Sequence, residues 1–600
     1  MGDPVTSSQT SQTSRPSQAP RASLYAAKPW LGLLAAAQRA PVAPPPTVLH
    51  AFREAVARAP ERTALAYFDG RIGYAEADAL SDAVAGHLAA RGVRRGDRVA
   101  VMLQNTPHFV LAVLAAWKAG AVVVPLNPMY KSGEVAHILG DSGAAALVCD
   151  GRAWTAYLRE AVRDSAVRTV LTASDLDFQT RNDPRLFGPA ADRATAPARP
   201  VVPAQADAPD AVAGREHPAG PDAADLATAD LFTVARGRRP APHDPGLTAA
   251  DTALISYTSG TSGTPKGAMN PHGALTYNAV RQVTSHPLPE GATYFALAPL
   301  FHITGMVCEL AACLANAGTL VLAHRFDAGA VLDAFLEHRP AYAVGPATAF
   351  MALAAHPGVT PDHFASFQVI SSGGAPLPPA LVERLRSAFG FYLRNGYGLT
   401  ECTAPCATVP VHLEAPVDPA SGTLAVGLPG ADTVVRILDE QGAEVPFGET
   451  GEIAVRGPQV VPGYWGLPAD TAKAFPDGEL RTGDVGFMDP DGWLYVVDRK
   501  KDMINASGFK VWPREVEDVL YTHPAVREAA VVGVPDEYRG ESVKAYVSLR
   551  PGASAEPQEL SAYCAERIAA YKYPRQVEIL PVLPKTTSGK ILRRELRDRG

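Results

Sequence analysis

"YTSGTSGTPKGAM", Tyr257 to Met269, packs three glycines, six hydroxyl side chains and one lysine into thirteen positions. A segment of that composition cannot fill a core. It follows a β-like run, "ALISY", so its backbone N–H groups project from a strand end toward an anion. Hydroxyls of Thr258, Ser259, Thr261, Ser262 and Thr264 flank Gly260 and Gly263, and Lys266 adds a positive charge. The Walker pattern G-x-x-x-x-G-K-[ST] does not fit, because Lys266 follows Pro265 and precedes Gly267. The segment reads as a phosphate cradle of another kind, with a flexible surface loop as the alternative.

Outward from this loop the chain alternates helix and strand. Toward the N-terminus, "VLHAFREAVARAP" has helical periodicity, and "RVAVML", "AVVVPL" and "AALVCD" are short β-rich runs between helical stretches. Such repeats predict an α/β fold with parallel-rich sheets flanked by helices. The most apolar stretch, Phe109 to Leu126, carries Lys118 and Gly120 midway, which predicts a buried helix turning into a strand rather than a membrane span. Toward the C-terminus, "QVISSGGAP" ends a strand, and "TVVRILDEQG", "GEIAVRG" and "GWLYVVDRKKD" form a β-rich subdomain. Beyond it a small α+β block contains "PREVEDVLYTH", "REAAVVGVPD", "VKAYVSLRP" and "PQELSAYCAERIA". The expected organisation is a disordered tail over 1–46, a large domain over 47–497, a linker at 498–502 and a small mobile domain over 503–600. Within the large domain, residues 188–245 are rich in Ala, Pro and Asp and poor in bulky side chains, which predicts a flexible insertion with at most one short helix in "DLATADLFTVARG". Deletion of Pro189 to Pro221 is expected to be tolerated.

The chain's 600 residues exceed one ordinary domain, and a hydrophobic content of 47% against 20% charged implies a substantial core. A net charge of −7 argues against nucleic acid as a partner. The six cysteines include no CxxC pair, and Cys402 and Cys406 lack the further ligands of a zinc set, so a reducing cytoplasm is expected. The Ser/Thr/Gln-rich start has no apolar core and is not a secretory signal.

The glycine-rich loop resembles the signature loop of the adenylate-forming superfamily, which includes acyl-CoA synthetases, luciferases and peptide adenylation domains. Further motifs follow in that family's order: "PLFHITG" (299–305), "SSGGAPL" (371–377), "NGYGLTE" (395–401), "RTGD" (481–484), "DRKKDMINASGFKVWPREVE" (498–517) and "PKTTSGKILRREL" (584–596). The resemblance covers about Thr47 to Leu596 without the insertion. It implies ATP-dependent conversion of a carboxylic acid to an acyl-adenylate with release of pyrophosphate, then transfer to CoA.

The resemblance also implies roles residue by residue. The loop from Thr258 to Lys266 would hold the departing phosphates. Glu401 matches the Mg²⁺-binding glutamate, and Thr400 a hydroxyl on the α-phosphate. Tyr397 matches the aromatic on adenine, with Gly396 and Gly398 beside it and Gly373, Gly374 and Ala375 as the opposite wall. Asp484 matches the ribose-binding carboxylate, and Arg499 a ribose or phosphate contact. Lys590 matches the lysine bridging the reacting carboxylate and the α-phosphate. Lys501 matches the hinge, and Gly508 the glycine that leaves a tunnel for the pantetheine arm of CoA. Asp498 departs from the glycine that family members commonly carry there. His302 matches a histidine of the carboxylate pocket, where amino-acid-activating relatives usually need an aspartate. Apolar stretches near Ile303–Leu322 and Ala341–Ala355, with Glu309 as their only acid, suggest an alkyl or aryl tail. The expected substrate is a medium- or long-chain fatty acid. Alternatives are an aryl-acid CoA ligase, an acyl-AMP ligase loading a carrier protein, and a non-catalytic nucleotide-binding protein. Peripheral contact with a membrane is left open.

Overall fold

The computed structural model describes residues 23–187, 226–237, 239–258, 265–286, 288–499, 502–506, 509–536, 540–586 and 590–599. The expectations for the tail before residue 23, for residues 188–225, for Ser259 to Thr264, and for Lys501 and Gly508 lie outside the described residues.

Two large parallel-rich sheets dominate the α/β fold. One has seven strands, in the order Ala227–Asp230, Thr169–Ala173, Ala146–Asp150, Arg98–Met102, Val122–Pro125, Thr252–Tyr257 and Gly267–Pro271. All its neighbours are parallel except the last pair. The second has nine strands and is parallel from Leu393–Leu399 through Val369–Gly373, Tyr342–Gly345, Thr293–Phe295 and Thr319–Leu322 to Thr63–Tyr67. Its strands Thr63–Tyr67, Thr319–Leu322 and Tyr342–Gly345 are short runs buried on both faces, as helix-covered parallel strands are. The stretch from Phe109 to Leu126 is the end of helix Pro107–Lys118, buried throughout, followed by strand Val122–Pro125. No described helix is long and apolar enough to cross a membrane.

The β-rich block forms a four-stranded antiparallel sheet of Val434–Leu438, Gly451–Arg456, Leu480–Met488 and Leu494–Arg499. The C-terminal block builds a five-stranded sheet on the long hairpin of Val526–Asp536 and Gly540–Leu549. Helices Pro513–Thr522 and Pro557–Ala565 supply apolar side chains to its core.

Two expectations are corrected. Residues 23–46 are not a disordered tail, because Tyr25 and Trp30 are fully buried in the core of the β-rich subdomain. The Tyr25 hydroxyl donates to the Val445 carbonyl at 2.9 Å, and Lys28 to the Ala431 carbonyl at 2.5 Å. Two aromatics in a stretch of mostly Ala, Leu and Pro carry no periodicity, yet each removes a large apolar area from water. The flexible insertion likewise does not extend to residue 245. Ala227–Asp230 pairs in parallel with Thr169–Thr172, and helix Leu231–Arg236 follows with Leu231 fully buried. Asp230 caps that helix, accepting from the Thr233 N–H at 2.8 Å.

Candidate active site

The C-terminal ends of the parallel strands, where open α/β sheets gather ligands, are where the motifs meet. Strand Thr252–Tyr257 returns antiparallel along Gly267–Pro271, and the Thr258 N–H donates to the Lys266 carbonyl at 3.0 Å. Thr258 and Lys266 therefore stand at the base of the glycine-rich loop. The Lys266 ammonium is ion-paired with Asp470 and lies 5.4 Å from the centre of the Tyr464 ring.

Thr400 and Glu401 occupy a single 3₁₀ turn, Thr400–Cys402, which ends in two left-handed residues, Thr403 (φ 54°) and Ala404 (φ 79°). Non-glycine residues hold that conformation only when their surroundings fix it. Asn270 supplies part of the restraint, donating to the Thr400 carbonyl at 2.9 Å and to Thr403 Oγ1 at 3.1 Å. Asn278 adds a bond to the Thr403 carbonyl at 2.6 Å. Glu401 Oε1 accepts the Tyr464 hydroxyl at 2.8 Å, and its carbonyl accepts the Val461 N–H at 3.0 Å. Sequence reasoning missed Asn270, Asn278 and Tyr464. The available signal was one asparagine, Asn270, inside the otherwise apolar strand Gly267–Pro271, since buried amides must find partners.

The next strands assemble an acid, a base and an aromatic. Tyr397 donates to Asp484 Oδ2 at 2.7 Å, and Arg499, opposite Asp484 across the antiparallel pair, approaches Oδ1 at 3.4 Å. Burial pushes the Asp484 carboxyl upward, opposed by Arg499 and by the Tyr397 hydroxyl. Gly373 faces Gly396 in the parallel register. A side chain on Gly398 would stand 2.1 Å from the Ala404 carbonyl oxygen, so the strand can pass the Thr400–Cys402 turn only as glycine.

Lys590 comes from the C-terminal domain, where Thr586 Oγ1 accepts its N–H at 3.0 Å and the Thr586 N–H donates to its carbonyl at 2.7 Å. Its chain lies against the turn Gly373–Gly374–Ala375. Gly374 has φ +80°, and a Cβ there would stand 3.4 Å from Lys590 Cε. Burial lowers the Lys590 ammonium to about 8; Arg499 pushes the same way, and Asp484 and Glu401 oppose it. His302 is held down to about 3 by burial and by Lys590. Its Nδ1 accepts the Thr304 N–H at 3.3 Å, so the neutral ring carries its proton on Nε2.

Glu309 is fully buried, and its Oε1 accepts the N–H groups of Leu297, Ala298 and Val344 at 3.1, 3.2 and 3.3 Å. Burial pushes this carboxyl well above the usual carboxylate range, opposed by the three backbone N–H groups it accepts. The small domain is tied to the large one by Asp498, whose Oδ1 accepts Arg593 at 2.9 Å and whose Oδ2 accepts the Arg514 N–H at 3.0 Å. The Arg514 guanidinium reaches back to the Val496 carbonyl at 2.7 Å.

The arrangement thus brings a lysine, a neutral histidine, two carboxylates, an arginine and an aromatic within electrostatic or hydrogen-bonding reach of one another, while the loop lysine Lys266 is turned onto Asp470. The model of the AMP-binding enzyme family matches residues 52–465, and that of the AMP-binding enzyme C-terminal domain matches 515–590. A feruloyl-CoA synthase from Amycolatopsis sp. is 36% identical over 546 residues, covering 90% of this chain and 96% of its own. A long-chain-fatty-acid–CoA ligase from Bacillus subtilis is 33% identical over 568 residues, covering 92% and 94%. The ATP-bound crystal structure of MatB from Rhodopseudomonas palustris superimposes with a TM-score of 0.74 at 27% identity, covering 92% and 98%. The chain belongs to the AMP-binding enzyme family and is an AMP-forming acid–CoA ligase.

Proposed function

We propose that the chain activates a medium- or long-chain fatty acid, forming an acyl-adenylate and then the CoA thioester. The observation that carries this reading is the placement of Lys590, delivered by the C-terminal domain against Gly374 and within electrostatic reach of Glu401, Asp484 and Arg499. A carboxylate attacking the α-phosphorus of ATP, with pyrophosphate leaving, brings two anions together. A cation aimed at the forming bond lowers that barrier more than it stabilises either reactant.

In this reading Lys590 bridges the acid and the α-phosphate, and the neutral His302 offers its Nε2–H to the carboxylate. Thr400 contacts the α-phosphate. Tyr397, Gly396 and Gly398 form one face of the adenine slot, with Gly373, Gly374 and Ala375 opposite. Asp484 takes the ribose hydroxyls, exchanging its contacts with Tyr397 and Arg499 for them, and Arg499 stays beside the ribose or phosphate. Thr258 and Lys266, with Ser259, Gly260, Thr261, Ser262, Gly263 and Thr264, hold the departing phosphates. Lys501 as hinge and Gly508 at the CoA tunnel enter by motif alone.

A Mg²⁺ ion suits Glu401. One oxygen is held by Tyr464, a carboxylate is the hard donor this ion selects, and the ion ordinarily keeps phosphates and water as its other ligands. When bound it would neutralise phosphate charge.

The tail preference rests on the small apolar segments after His302, whose one acid, Glu309, is fully buried and accepts the N–H groups of Leu297, Ala298 and Val344. A second reading, an aryl acid of the feruloyl type, is favoured by the 36% identity to a feruloyl-CoA synthase. The test is AMP and pyrophosphate release with CoA across saturated acids of graded length and a set of hydroxycinnamates. The fatty-acid reading requires kcat/KM to rise with chain length and exceed that of every hydroxycinnamate. The reverse order would select the aryl reading, and release without CoA consumption would point to a carrier-protein acceptor.

A further inference from the structure

Lys266 and Glu401 carry opposite charges, and one side chain touches both. The Tyr464 ring faces the Lys266 ammonium at 5.4 Å, and its hydroxyl donates to Glu401 Oε1 at 2.8 Å. Two groups meant for phosphate and for a divalent cation would cancel each other if they paired directly, at a separation where Coulomb attraction is strong. Here they do not pair. The ammonium has its own counter-ion, Asp470, on the short helix Pro468–Ala474.

The segment bearing Tyr464 is fixed on both sides. The Trp465 N–H donates to the Gly267 carbonyl at 2.8 Å, and the Met269 N–H to the Gly463 carbonyl at 3.0 Å, which ties the segment to the strand leaving the glycine-rich loop. Thr471 Oγ1 accepts the Tyr464 N–H at 2.9 Å, which ties it to the helix carrying Asp470. Tyr464, Lys266, Asp470 and Glu401 are therefore linked through one short, hydrogen-bonded segment. Neither Tyr464 nor Asp470 belongs to the motifs that gave the family resemblance.

We propose that Asp470 is the resting counter-ion of Lys266 and that Tyr464 is the spacer keeping Lys266 off Glu401, so that nucleotide binds by exchanging Asp470 for phosphate on the lysine. Both are positioning residues, and the proposal rests on the reading of Lys266 as a phosphate ligand. Pyrophosphate departure is the reverse exchange: Asp470 recaptures the ammonium and helps the product leave. The ion pair is about two-fifths exposed on each side, so its competition with phosphate is modest.

The experiment measures equilibrium binding of ATP, and separately of pyrophosphate, to the full-length protein without acid or CoA. Variants are Asp470→Asn, Lys266→Ala and the double variant, each checked by thermal scan. The expected result is tighter binding of both ligands to Asp470→Asn by about two- to fivefold, the range an exposed ion pair commands. In the Lys266→Ala background the same substitution should change nothing. A gain in affinity on removing a charge, and its dependence on Lys266, are not effects that a merely structural aspartate produces. Tyr464→Leu should weaken ATP binding by letting Lys266 close onto Glu401, and Tyr464→Phe, which keeps the ring, should restore most of it. If Lys266→Ala binds ATP as the wild type does, the phosphate-ligand reading fails and this proposal with it. If Lys266→Ala binds more weakly but Asp470→Asn is unchanged or weaker, the counter-ion exchange alone is overturned.

Discussion

Lys590 shows how one side chain's environment sets its working range. Burial and Arg499 lower its ammonium to about 8, against the pull of Asp484 and Glu401. The lysine is charged below that pH and neutral above it, so the form that can stabilise the adenylation transition state disappears as pH rises through about 8. The kcat/KM for acid-dependent ATP–pyrophosphate exchange, which reports the free enzyme's groups, should fall tenfold per pH unit on that side. Lys590→Arg should flatten the fall at reduced activity, because a guanidinium stays charged. A profile level to pH 10 in the wild type would contradict the assignment. His302, held near 3, should contribute no limb between pH 5 and 8. The sequence made Lys590, Glu401 and Asp484 legible because each sits in a contiguous motif. It hid Tyr464, Asn270 and Asn278, because their importance lies in hydrogen bonds to Glu401, Thr400 and Thr403 across long chain separations.

At the scale of elements, helices and strands with strong periodicity were readable: Val48–Arg58, Arg98–Met102 and Pro513–Thr522 fall where the patterns place them. Two segments were not. Strand Ala227–Asp230 is made of small residues whose own burial is partial, so main-chain pairing to Thr169–Thr172 forms it rather than side-chain pattern. Residues 23–46 look like a tail because their anchors are two aromatics in an Ala/Leu/Pro-rich run with no regular periodicity. Trp30 is nonetheless fully buried, and a side chain on Gly492 (φ +93°) would stand 2.6 Å from Trp30 Cβ. Trp30→Ala should cost about 3–5 kcal/mol of local stability. The expected observation is a Tm lowered by several degrees with new protease cleavage inside residues 23–46. An unchanged Tm and cleavage pattern would mean that the segment is not held by that ring.

At the scale of the whole molecule, the small domain is held in the Lys590-inward orientation by contacts that cross the linker. Asp498 is buried, and it accepts both Arg593 and the Arg514 N–H. Breaking one partner of a buried charged pair is strongly unfavourable, because the other charge is left uncompensated. Asp498→Gly, which removes the buried carboxylate, should therefore depopulate this orientation. Single-turnover acyl-adenylate formation should slow several-fold, while thioester formation from supplied acyl-adenylate should be unchanged or faster. Equal slowing of both steps would show that Asp498 supports the fold generally and does not select an orientation.

The central claim is that Lys590 serves the first half-reaction and not the second. Its direct measurement is the pair of single-turnover rates in Lys590→Ala: acyl-adenylate from acid and ATP, and acyl-CoA from supplied acyl-adenylate and CoA. The ammonium stabilises charge only as the carboxylate joins the α-phosphate. Adenylation should therefore fall by about 10²–10³, the scale of losing one electrostatic donor at a reacting centre, with thioester formation within about twofold of wild type. A comparable loss in both rates, or adenylation at the wild-type rate, would contradict the account.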